Sequence, residues 1–257
     1  MRKVLLHYLM GVALLTASCS SADEENILQS GYGTIDLGVN VNAAFEASTR
    51  AVNEEEYKNV ANYTVEIVQN GEVKKSFKYS EKPDSLKLAN GTYELKAWHG
   101  SESNVSRNNF LVTGSTPFTL QGKDITVNVD CKPTCGKLVT KFDTAEMNKF
   151  FSNYYVEYET AALKVEGMKA IWAKADTEPY YVKLNPQGEN VSATIHYVRF
   201  SDGKEQTQKV SYEMLPNKKW TLNIKPKNDS GNLGVDITID ETTNDKDITI
   251  DIPSEWL

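Results

Sequence analysis

Histidine is scarce: 257 residues hold only His7, His99 and His196. That excludes a multi-histidine metal centre and leaves Ser-His or Cys-His catalysis little to work with. Positive charge is also in deficit. Lys and Arg number 28 against 35 Asp and Glu, a net charge of −7, and nucleic-acid binding needs the opposite, a basic footprint. No Gly-rich phosphate loop is written anywhere. The apolar run Val4 to Leu15 is shorter than the ~20 residues of a transmembrane helix. What is present is ordinary for a folded chain, with 40% hydrophobic and 25% charged residues.

The first eighteen residues read as a secretory signal peptide. Arg2 and Lys3 form a positive start, Val4 to Leu15 an apolar centre, and Thr16-Ala17-Ser18 a small-residue end. Cys19 follows at once. A Cys directly after small residues is the mark of a bacterial lipoprotein signal, in which the thiol receives diacylglycerol. Thr16 departs from the usual pattern, which prefers Leu three residues before the Cys; here Leu15 stands one place earlier. Cys19 is the expected lipidation site and the membrane the expected partner. Three acyl chains on an N-acylated Cys suffice for stable anchoring, because each buried CH₂ contributes ~0.8 kcal/mol. Removing Arg2 and Lys3 leaves the mature chain two charges more negative. Residues 19–33 form an acidic tether, and its Ser20-Ser21-Ala22-Asp23-Glu24-Glu25 stretch resembles the surface-export signal of Bacteroidetes lipoproteins. The outer membrane, facing the cell exterior, is therefore the expected location.

Beyond residue 30 the chain is written in strands. Ile35, Leu37, Val39 and Val41 alternate with polar or small residues, as do Tyr63, Val65 and Ile67. Asn70-Gly71 and Asn90-Gly91 each predict a type I′ hairpin, which needs positive φ at both central positions. Asp202-Gly203 predicts a further turn. One helix is expected, capped by Asp143 with Glu146 three residues on and ending by about Asn153. Leu163 to Ala170 is expected as a strand, and residues 42–60, with the charge run Asn53-Glu54-Glu55-Glu56, as a linker. Short strands and few helices give an all-β class with two tandem β-sandwich domains. The expected divisions are residues 34–132 and 136–257, about Cys131-Lys-Pro-Thr-Cys135.

Cys131 and Cys135 are a candidate disulfide in an oxidising compartment. The spacing is geometrically demanding and is not the Cys-x-x-Cys of redox enzymes, so the pair reads as structural, bridged or free. Asp229, Asp236, Asp240, Asp245 and Asp247 crowd the last stretch without EF-hand order. They read as a solvated sheet face, and neither metal nor other cofactor is expected. Glycoside hydrolysis needs two carboxylates across a cleft; the sequence shows no such pair, and the chain reads as a non-enzyme. Trp98, beside His99 and Gly100 at a strand end, is the candidate stacking residue for a glycan. Trp220 alternates with Leu222 and Ile224, which is core spacing.

One set of residues carries a resemblance. Leu86-Lys-Leu-Ala-Asn90-Gly-Thr-Tyr93-Glu-Leu-Lys-Ala97 looks like a strand pair seen across fimbrillin-like proteins of Bacteroidales. With Phe118 to Leu120, Asp124 to Lys132, Lys137 to Phe142 and Phe150 to Tyr154 in that order, the chain resembles an uncharacterised Bacteroides lipoprotein family, a domain of unknown function. The resemblance implies two fimbrillin-like or transthyretin-like β-sandwich domains. It also implies a cut by a trypsin-like protease after an Arg that follows the first strand, and a strand from a neighbouring fimbrial subunit filling the groove left behind. Arg50, before Ala51, stands at the matching place. Loss of residues 19–50 would remove the lipid as well, so a membrane-anchoring subunit would keep Arg50 intact. Asp247 to Ile252 is the matching donor strand or an ordinary last strand. The implied role is a fimbrial subunit or adhesin; the alternative is a glycan-binding surface lipoprotein of a nutrient-uptake system.

Overall fold

A computed structural model describes residues 31–42, 54–229, 232–241 and 248–249. The fold is mostly β, in three sheets. The first half runs β1 (Tyr32–Val41), α1 (Glu54–Lys58), β2 (Thr64–Gln69), β3 (Glu72–Lys78), β4 (Leu86–Ala89), β5 (Gly91–Gly100), β6 (Val105–Ser106), β7 (Leu111–Leu120) and β8 (Ile125–Pro133). The second half runs β9 (Cys135–Phe142), α2 (Thr144–Phe150), β10 (Phe151–Glu159), α3 (Ala161–Val165), β11 (Ala170–Ala173), β12 (Tyr180–Lys183), β13 (Glu189–Arg199), β14 (Glu205–Met214), β15 (Lys219–Asp229), β16 (Asn232–Glu241) and β17 (Ile248–Thr249).

Alternation decides the faces. Along β5, Tyr93, Leu95 and Ala97 are buried while Thr92, Glu94, Lys96 and Trp98 point the other way. Seven strands of the first half form one curled sheet in the order β3-β2-β5-β7-β8-β1-β4. Its two ends face each other across a core of Ile35, Leu37, Ile67, Leu95, Val112 and Val129. In the second half the sheet β11-β10-β13-β14 packs on the sheet β17-β16-β15-β9-β12-β6. Trp172, Phe151, Ile195, Leu138 and Leu222 fill the space between. The first strand of each half pairs in parallel with a later one, β1 with β8 and β9 with β15.

Three local expectations needed correction. Asn70-Gly71 is the expected hairpin, with φ of 51° and 80°. Asn90-Gly91 is not: β4 pairs with β1, whereas β5 pairs with β2 and β7. The chain crosses at Asn90 from the end strand β4 to β5, on the far side of β1, β8 and β7. Its N–H donates to the Gly31 carbonyl at 2.9 Å, and its Oδ1 accepts from Gly122 N–H at 2.6 Å, so long-range bonds replace the hairpin ladder. The stretch Leu163 to Ala170 is not a strand. Thr160 caps α3 by accepting from Leu163 N–H at 3.3 Å, and the next strand starts only at Ala170. The segment taken as a linker holds α1, whose three Glu residues suit the positive end of a helix. The one helix expected from the sequence, α2, is present with Asp143 accepting from Glu146 N–H at 3.1 Å, and it ends at Phe150.

The halves interlock at their joint. β6, from a loop of the first half, pairs with β12 of the second. Cys135, within the boundary stretch read from the sequence, and Tyr181, beyond it, sit in the first core.

Candidate functional site

β1 occupies a slot. Its Ile35–Val41 segment pairs in parallel with Ile125–Cys131 of β8, and its Tyr32–Ile35 segment pairs antiparallel with Leu86–Ala89 of β4. Ile35, Leu37 and Val39 point into the first core at 3%, 3% and 7% exposure. Burying each such side chain contributes about 1.5–3 kcal/mol. Beyond the end of β4 the outer edge of β1 has no strand partner among the described residues. Lys82 closes it there, its Nζ donating to Asp36 Oδ1 at 2.8 Å and to the Leu37 carbonyl at 3.1 Å. Tyr79 O–H donates to the same carbonyl at 3.3 Å. The Lys82 ammonium holds the Asp36 carboxyl below its usual range. One edge of β1 is thus a ladder from Ile35 to Val41, and the other is part ladder, part side-chain clasps. Taking β1 out would leave a groove between β8 and β4 lined by Leu86, Leu88, Val127 and Val129.

A second constellation lies where the halves meet. Glu54 of α1 and Lys137 of β9 are 3% and 2% exposed, with Lys137 Nζ 2.8 Å from Glu54 Oε1. Tyr181 O–H donates to that same oxygen, and the other carboxylate oxygen, Oε2, has no hydrogen-bond partner. Aromatic rings wall the pair. Tyr57 stacks on Phe110 at 3.9 Å between centroids, and Phe110 on Tyr181 at 4.6 Å. Tyr63 O–H donates to the Tyr57 carbonyl at 2.7 Å. Desolvation and the neighbouring Glu54 push the Tyr181 hydroxyl far above its ordinary pKa. Sequence reasoning missed Glu54, reading it as part of a solvated charge run. The usable signal was Tyr57, an aromatic three residues on at helical spacing.

The remaining predicted residues are scattered. Cys19, Arg50 and Ala51 lie outside the described residues, as do Trp256, Asp245 and Asp247. Cys131 and Cys135 are free and buried, so of the two states open to the pair the structure holds the unbridged one. Burial pushes the Cys131 thiol up to about 11 and the Cys135 thiol higher still. They sit on consecutive strands facing the first core as small apolar side chains, Cys131 Sγ lying 3.6 Å from the Ala97 carbonyl. Trp98 is half-buried on the outer face of β5, between Thr64 and Thr113 of the flanking strands. Trp220 is in the second core. Of the last stretch, Ile248 and Thr249 pair antiparallel with β16. Among the described residues no group of three or more His, Cys, Asp or Glu could hold a metal ion.

Comparison with known proteins gives a family and a set of folds. Residues 31–254 match the model of a domain of unknown function, DUF4493. No curated protein matches the chain. Among solved structures, a fimbrial assembly protein from Parabacteroides distasonis is similar at a TM-score of 0.45 and 11% identity, covering 86% of this chain and 99% of that one. The fimbrial anchor protein Mfa2 from Porphyromonas gingivalis is similar at a TM-score of 0.40 and 11% identity, covering 83% of this chain and 98% of that one.

Proposed function

We infer for this chain, which belongs to the DUF4493 family, the role of a surface-exposed outer-membrane lipoprotein, a fimbrillin-like structural subunit or adhesin that assembles by strand exchange. Cys19 carries the lipid, the two cores are the cores of two tandem domains, and the protein has no catalytic task. The observation that carries this reading is the seating of β1, the first strand described, between β8 and β4 rather than at a finished edge. A cut after Arg50 would free a segment that includes β1 and expose a groove with pockets at alternate positions. A neighbouring subunit's strand with the same alternation would restore the ladder, because main-chain bonds supply affinity and alternate side chains supply register. The cut would leave the next segment in place, since Glu54 and Tyr57 are buried four and seven residues after Arg50.

The test is the mass and N-terminal sequence of the protein isolated from its own cells. A chain beginning at Ala51 without lipid supports strand exchange, with Arg50 as its trigger. A lipidated Cys19 with Arg50 intact removes processing from this chain and leaves a subunit that anchors others.

A further inference from the structure

We propose that Glu54 and Lys137 condense into an intramolecular amide that ties α1 to β9. The two groups are the reactants of such a bond in contact already. Nζ is 2.8 Å from Oε1, and both residues are at least 97% buried. The carboxyl carbon lies one bond, about 1.2 Å, beyond that oxygen. Holding reactants so converts a bimolecular step into an intramolecular one, with effective molarities on the order of 10⁵–10⁸ M. The surroundings favour the product. Tyr57, Phe110 and Tyr181 keep water out, and an ion pair in such a place suffers the desolvation of both charges. Here the penalty is poorly offset, because Oε2 has no hydrogen-bond partner where an ionised carboxylate can accept on both oxygens. A neutral amide in the same volume removes both charges.

The reaction needs no outside reagent. A proton passes from the Lys137 ammonium to Oε1, leaving a neutral amine and a neutral acid. The amine lone pair attacks the Glu54 carboxyl carbon, forming the Nζ–Cδ bond. As the carbon becomes tetrahedral the negative charge gathers on Oε2, and Tyr181, donating to Oε1, stabilises the charge that Oε1 takes on as it begins to leave. The Cδ–Oε1 bond then breaks. Of the three ammonium protons, two leave with Oε1 as water and one stays on the amide nitrogen. No electron is gained or lost. The bond would pin the segment just past Arg50 to the joint between the halves, so pulling on the N-terminal side would load a covalent link. The proposal stands whether or not Arg50 is cut.

Peptide mapping of the full chain from its own cells tests it. Trypsin does not cut after an acylated lysine, and Pro133 protects Lys132. The linked product is therefore residues 51–58 joined to residues 124–141, lighter than the sum of the two peptides by one water. Lys137→Arg keeps the charge and cannot form this amide; its map should show residues 51–58 alone. Tyr181→Phe should lower the linked fraction. Recovery from the wild-type folded chain of residues 51–58 and 124–137 as separate peptides of full mass, with normal cleavage after Lys137, overturns the proposal without recourse to any variant. The N-terminal sequence of the same sample reads the Arg50 cut independently, so the two readings fail separately.

Discussion

Leu95 shows what one side chain can do here. It is fully buried in the first core, and cutting it to Ala removes contacts that the surrounding sheet cannot collapse to replace. Leu95→Ala should lower the unfolding free energy by about 2–5 kcal/mol, measured by urea titration. The two cysteines should be silent for a related reason. The thiolate is the nucleophile, and burial raises both thiols. Native protein at pH 8 should leave Cys131 and Cys135 unlabelled by iodoacetamide, and urea should expose both; fast labelling without denaturant would contradict the packing. Tyr63 and Tyr158 behave alike toward alkali. Desolvation raises both hydroxyls well above the ordinary tyrosine range, and the phenol of Tyr158 sits 2.6 Å from Thr140 Oγ1. Their folded pKa values lie above their unfolded ones, so the stability they contribute is complete below about pH 10 and is lost as pH rises beyond it. A titration followed at the tyrosinate absorbance should show this group ionising only together with loss of near-UV circular dichroism.

Among the elements, the seam between β7 and β8 is narrow for two strands of their length. The two strands share only the pairs Val112↔Pro133 and Thr113↔Lys132, yet they carry the curl that closes the first core. Gly114 lies at that seam, where a Cβ would stand 2.3 Å from the Asp130 carbonyl oxygen. That neighbour is backbone and cannot turn aside. Gly114→Val should therefore destabilise the fold by more than a surface substitution does, on the order of 2 kcal/mol or above, and a melting curve reads it. β1 offers the complementary test. A chain that starts at Ala51 should bind a synthetic peptide of residues 32–42, and the same peptide with Leu37→Asp should fail, because Leu37 points into the core. Equal binding of both peptides by fluorescence anisotropy would remove the groove from consideration.

At the scale of the molecule, the halves are coupled by more than a linker. Arg107, beside β6, reaches into the second half. Its guanidinium lies 3.7 Å from the Tyr180 ring centroid and 5.0 Å from that of Trp172, and its Nη2 is 2.7 Å from Asp176 Oδ2. Asn217 Nδ2 donates to the Asn42 carbonyl at 3.0 Å, reaching back the other way. Such contacts should make the two cores unfold in one transition. Arg107→Ala removes both cation–π contacts and a charged hydrogen bond, about 1–3 kcal/mol together. It should broaden or split the calorimetric endotherm, whereas an unchanged single peak would assign the coupling to the joint around Glu54 and Lys137.

Which residues face inward is written locally. Period-two alternation at Ile35 to Val41, Tyr93 to Ala97 and Trp220 to Ile224 encodes a buried face locally, and the Asp143 cap with Glu146 encodes a helix start within four residues. Asn70-Gly71 fixed a hairpin because both strands it joins are neighbours in the sheet. Which strands meet is set by contacts between residues far apart in the chain. Asn90-Gly91 carries the same dipeptide, but β4 pairs with β1 and β5 with β2 and β7, and long-range bonds to Gly31 and Gly122 hold the crossing. Glu54 reads as one of three solvated acids. Its burial depends on Lys137 and Tyr181, 83 and 127 residues away, and no local pattern can announce a partner at that distance. Alternation states that a face is covered; what covers it is set by the summed packing of the whole chain.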